Sequence, residues 1–61
     1  MMRKIVVNSV PTDYFDEYHY NAQIWTFHKE TWWYSGEGRY CKTIEEVVQY
    51  AKDKNLLVEF R

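Results

Sequence analysis

Cys41 is the single thiol of this chain, and His19 and His28 are its two imidazoles. A thiol becomes a nucleophile when a neighbouring base holds it as the thiolate, so a cysteine–histidine pair is the first catalytic arrangement these residue types allow. Both histidines fall on or near a strand that precedes Cys41, which makes the pair conceivable. The competing reading is a small residue packed near a helix start, with two ordinary strand histidines, and it suits a free cysteine better because buried thiols are commonly inert. The same three residues make a poor metal site, since no C-x-x-C or H-x-x-x-H spacing is present to nucleate one. Carboxylates cluster at Asp13, Asp16 and Glu17 and again at Glu45 and Glu46. The first group has no basic or imidazole neighbour except His19, and the second is explained by a helix cap. Ser35-Gly36-Glu37-Gly38 lacks the third glycine, the lysine and the following helix of a phosphate cradle. No catalytic residue, no metal and no cofactor are expected.

The elements that carry these residues follow from pattern. Ile5-Val6-Val7 and Val10 are β-branched and are closed off by Pro11, which predicts a first strand near residues 3–10. Residues 11–17 read as a loop. From Tyr18 the chain alternates, with Tyr18, Tyr20, Ala22, Ile24 and Thr26 on one face and His19, Asn21, Gln23, Trp25, Phe27 and Lys29 on the other. Lys29-Glu30 suits a tight connection, and Thr31-Trp32-Trp33-Tyr34 returns as a second aromatic strand. Ser35 to Gly38 is either a turn into a short further strand, 39–42, or a bulge within one longer strand; the turn is the preferred reading. Thr43-Ile44-Glu45-Glu46 fits a capping box, after which Ile44, Val47, Val48 and Ala51 form one apolar stripe. Asn55 can stop that helix, and Leu56, Val58 and Phe60 share one face of a last strand. The expectation is a single α+β domain over residues 1–61, ordered β-β-β-(β)-α-β: a small twisted antiparallel sheet of four to five strands with one helix on one face.

Composition limits the function classes. The chain has 61 residues, 20% of them aromatic, and one small core does not usually enclose that many rings. Some therefore face solvent or a partner. Two surfaces stand out. Asp13, Tyr14, Phe15, Asp16, Glu17 and Tyr18 combine acids with rigid rings, the chemistry of a surface that selects a basic site on another protein. Trp25, Phe27, Trp32 and Trp33 cluster across the expected hairpin, with Trp32 and Trp33 on opposite faces, one in the core and one out of it. A net charge of −1 argues against nucleic acid, although sheet aromatics beside Arg3, Lys29, Arg39 and Lys42 keep single-stranded binding as an alternative. MMRKIVV is too short an apolar start for a signal peptide or a membrane span, and one free thiol without an export signal points to the cytoplasm.

The ending built on Thr43-Ile44-Glu45-Glu46-Val47-Val48-Gln49-Tyr50-Ala51 is similar in pattern to small sheet-plus-helix modules such as HicB-type antitoxins and tiny phage inhibitors of host enzymes. That resemblance is one of fold and transfers no functional residue. The sequence thus leads to a small intracellular, non-enzymatic effector that binds a host protein, of the inhibitor or antagonist kind that phages and mobile elements encode. Its contact residues are expected to be Asp13, Tyr14, Phe15, Asp16, Glu17, Tyr18, Trp25, Trp32 and Trp33. A homodimer is expected too, because a second copy supplies burial that so short a chain lacks. A purely structural homodimeric subunit is the remaining alternative.

Overall fold

Alternation along the strands becomes two chemically different faces of one sheet. The computed structural model describes residues 2–10 and 19–61, and these form β1 (Arg3–Ser9), β2 (Tyr20–His28), β3 (Thr31–Cys41), α1 (Ile44–Lys54) and β4 (Val58–Phe60). The strands lie in the order β3-β2-β1-β4. On one face Ile5, Val7, Ala22, Ile24 and Cys41 meet Val47, Tyr50 and Ala51 of α1, with Tyr20, Leu56 and Val58 packed around them. These branched and small side chains share a layer because odd positions of β1 stand beside even positions of β2 in the antiparallel register, Ile5 opposite Ile24 and Val7 opposite Ala22. The fold is the small α+β arrangement expected.

The helix begins and ends on its own chemistry. Glu46 N–H donates to Thr43 Oγ1 at 3.2 Å, while Glu46 Oε2 accepts from the backbone of Thr43 at 3.2 Å and of Lys42 at 2.7 Å. Backbone donors that a helix start leaves unpaired are thereby satisfied, a cap worth about 1 kcal/mol. At the far end Asn55 adopts the left-handed conformation, φ 56°, and its N–H closes onto the Ala51 and Lys52 carbonyls. Glu45 and Glu46 in the first turn and Lys52 and Lys54 in the last complement the helix dipole.

Two expectations are corrected. β4 runs parallel to β1, so the sheet is mixed rather than wholly antiparallel. The reason is the crossover: α1 carries the chain back to the end where β3 started, and β4 then runs in the direction of β3, which is also that of β1. Second, Ser35 to Gly38 is not a turn into a separate strand, because β3 continues through it. Gln23 pairs with Gly38 and Trp25 with Tyr34, so Ile24 alone faces Ser35, Gly36 and Glu37. This bulge satisfies itself. Ser35 Oγ donates to the Ile24 carbonyl at 2.6 Å and accepts from Glu37 N–H at 3.2 Å. Gly36 supplies a φ of +86°, and Gly38 lets two backbones approach, since a Cβ there would lie 2.5 Å from the Ala22 carbonyl oxygen. The Lys29-Glu30 connection is the two-residue hairpin turn expected, with φ 53° and 65°.

Candidate functional site

The face of the sheet turned away from α1 is aromatic. Cross-strand pairing sets Trp25 opposite Tyr34 and Phe27 opposite Trp32, with ring centroids 6.0 and 5.3 Å apart. Both pairs are tilted, an arrangement the charge distribution of the rings favours. Trp25, Phe27 and Trp32 are half-buried, while Tyr34 keeps 49% of its surface exposed and Tyr40 is exposed beside Asn21. Trp25 Nε1 donates to Gln23 Oε1, two residues along the same strand and on the same face. Val6, between Gln23 and Glu59 on the neighbouring strands, is fully buried here.

Among the described residues, charge on this face is scarce and internally satisfied. Lys4 Nζ sits 4.2 Å from the centre of the Trp32 ring and donates to Glu59 Oε1 at 2.8 Å. Arg61 Nε donates to the other oxygen of Glu59 at 2.7 Å. Lys4 first, and Arg61 with it, hold the Glu59 carboxyl below its ordinary value. A groove of about 420 Å³ opens beside Met2, Lys4, Trp32, Leu57 and Glu59.

The helix side carries the other ion pairs. Glu37, displaced by the bulge, binds Lys54 at the end of α1 and Arg3 of β1, at 2.5 and 3.6 Å. The Lys54 hydrogen bond is the main reason the Glu37 carboxyl lies below its ordinary value, and the same contact raises the Lys54 ammonium. Arg39 reaches Glu46 and, with Lys54, flanks the ring of Tyr50. Burial pushes the Tyr50 hydroxyl upward.

Of the contact residues expected from sequence, Trp25 and Trp32 come together on the aromatic face. Trp33 does not join them. It stands beside Thr26 on the helix side at the hairpin end, 55% exposed, with its indole N–H donated to the His28 carbonyl at 2.9 Å. The expectation that one of Trp32 and Trp33 is core fails: Trp33 is exposed, Trp32 is half-buried, and the buried layer is filled by Val, Ile, Ala, Cys41 and Tyr50. Asp13, Tyr14, Phe15, Asp16, Glu17 and Tyr18 lie outside the described residues. Lys4, Tyr34 and Tyr40 belong to the face and were not singled out for it. Alternation carried through β3 with a bulge gives Tyr34 and Tyr40 the same face, a signal lost once a turn is placed between them.

Cys41 lies in the core, and burial raises its thiol above the ordinary value, which disfavours the reactive thiolate. His28 sits at the opposite end of the β2–β3 pair, beside Thr31, whereas Cys41 pairs with Tyr20. Among the described residues no group of three histidine, cysteine or acidic side chains is placed to hold a metal ion, and no helix is long and apolar enough to cross a membrane. Comparison with family models, with curated proteins and with solved structures returns no match.

Proposed function

We propose that the chain is a non-enzymatic protein-binding effector of the cytoplasm, an inhibitor or antagonist of a host protein such as phages and mobile elements encode, and that the aromatic face is its contact surface. One observation carries this reading: a sheet face built of Trp25, Phe27, Trp32, Tyr34 and Tyr40 whose cations are already bound. Lys4 and Arg61 are held by Glu59. Elsewhere Arg3 and Lys54 are held by Glu37, and Arg39 by Glu46. A surface that binds single-stranded nucleic acid needs cations to replace the counterions of the phosphates, and here Arg3, Lys4, Arg39, Lys54 and Arg61 would first have to leave a carboxylate. A neutral surface of rigid amphipathic rings matches instead the centre of a protein interface, where Trp and Tyr dominate the energetics.

The test compares the tagged chain with a Tyr34→Ala, Tyr40→Ala variant, both positions lying on that face and being exposed enough for the fold to survive. A single host protein bound directly by the parent, and at least about tenfold more weakly by the variant, is the expected result. Oligonucleotide binding that weakens steeply with salt would transfer the surface to the nucleic-acid reading.

A further inference from the structure

The β4 edge, beside the aromatic face, carries the materials for a contact of its own. Ile5 N–H donates to the Leu57 carbonyl and Arg61 N–H to the Val7 carbonyl, both at 2.9 Å. In a parallel ladder alternate residues direct their backbone groups to the same neighbour, so Leu57, Glu59 and Arg61 face β1 while Val58 and Phe60 turn theirs outward. This edge has no proline and no bulge, and its side chains Leu57 and Phe60 are 84% and 55% exposed. Such an edge is a template for another strand. On the helix side a groove of about 280 Å³ runs between α1 and β4, lined by Val48, Ala51, Leu56 and Val58.

We infer that β4 pairs antiparallel with β4 of a second copy about a two-fold axis through Glu59, joining two four-stranded sheets into one. This register sets Val58 against Phe60 of the second copy, and Phe60 against its Val58. Each is a hydrogen-bonded pair, so all the outward backbone groups of both residues find partners. Side chains agree with it. Val58 and Phe60 share the helix-side face with Ile5 and Val7. The exposed Phe60 ring of the second copy therefore arrives at the mouth of the apolar groove beside Val58.

Charge decides that the occupant is another copy of this chain. The axis brings the two Glu59 residues together, which alone would be repulsive. However, each Glu59 already holds Lys4 and Arg61. Each Arg61 lies diagonal to the Glu59 of the second copy, within reach of a long side chain on an antiparallel pair. Two carboxylates then sit among four cations that the edge itself supplies, and the edge is complementary to itself.

Sedimentation equilibrium over a dilution series, together with amide hydrogen exchange, tests this. Self-association is expected, with the Val58 and Phe60 amides protected in concentrated samples and released on dilution. Phe60→Pro removes the outward donor but leaves the Arg61 bond to Val7, and should weaken association at least about thirtyfold. Phe60→Thr keeps the donor and should weaken it less. A chain that stays monomeric would overturn the proposal. So would a dimer whose Val58 and Phe60 amides exchange as fast as in dilute solution, a result that holds even if the proline variant does not fold.

Discussion

The two edges of this sheet treat exposed backbone in opposite ways. β3 is long, spanning Thr31–Cys41, and its ladder is broken midway by the Ser35-Gly36-Glu37 bulge. Bulges twist an edge away from a flat template, and Glu37, Arg39 and Lys42 add charge along the same stretch. β4 is short, Val58–Phe60, pairs with β1 without a register shift and is flanked by exposed Leu57. Among the described residues a long edge that must not pair is interrupted, whereas a short one is left open with apolar side chains beside it. Length alone does not protect an edge; what stands along it does.

The largest effect is expected where the guarded edge is joined to β2. Gly38→Ala places a Cβ 2.5 Å from the Ala22 carbonyl oxygen and 3.2 Å from Gln23 Cα, contacts with backbone that only a shift of β3 can relieve. It should cost about 3 kcal/mol, read as a lower urea midpoint. Gly36→Ala tests the same bulge by a different route. Nothing stands within 4 Å of a Cβ there, and the cost is that of holding alanine at φ +86°, about 1 kcal/mol. Equal losses for the two variants would mean that the bulge, not the close approach at Gly38, sets the strength of the β2–β3 contact.

These two glycines also mark where the sequence stopped being legible. The capping box at Thr43 and Glu46, the stop at Asn55 and the buried alternation of Ala22 and Ile24 are local signals, and each appears where its pattern placed it; the helix stripe is corrected in part, since Val47 and Ala51 are buried as expected but Ile44 and Val48 are exposed and Tyr50 completes the buried face. The bulge is not local. Ser35-Gly36-Glu37-Gly38 reads equally well as a turn until it is known that Ser35 finds the Ile24 carbonyl, a partner eleven residues back in the chain. The direction of β4 is likewise set by the helix crossover and not by Val58, Glu59 or Phe60 themselves. Legibility of the candidate site divides in the same way: Trp25 and Trp32 follow from alternation alone, whereas Tyr34 and Tyr40 need the register across the bulge. Lys4 could not be assigned to the face before β1 was known to lie beside β2 and β4.

The hairpin tip sharpens the contrast further. Lys29 and Glu30 both hold positive φ, a conformation in which side chains with a Cβ are strained and which Asn-Gly adopts readily. Lys29→Asn with Glu30→Gly should therefore stabilise the β2–β3 pair by about 1 kcal/mol in thermal or urea unfolding. Because the tip is remote from β4, the gain should be the same in dilute and concentrated samples. A gain that depends on concentration would implicate the hairpin in self-association and weaken the case for β4.

The smallest effect separates the edges by pH. Glu37 at the bulge and Glu59 at β4 both have carboxyls held below the ordinary value of 4.5, by Lys54 and by Lys4 respectively. A carboxyl that is more acidic in the folded chain contributes stability that is fully present above its unfolded value and is lost as pH falls through the folded one. Unfolding temperature should therefore drop below about pH 4.5, and drop less in high salt because both pairs are exposed. Glu37→Gln should flatten part of that slope equally at all protein concentrations. Protonating Glu59 has a second consequence, since it leaves Lys4 and Arg61 of two copies facing one another without a counter-charge. Glu59→Gln should then weaken association already at neutral pH and remove the acid-induced dissociation that the parent shows, which can be followed by mass in solution between about pH 6 and about pH 3. If Glu37→Gln were the variant that altered dissociation, the guarded edge and not the open one would be where copies meet.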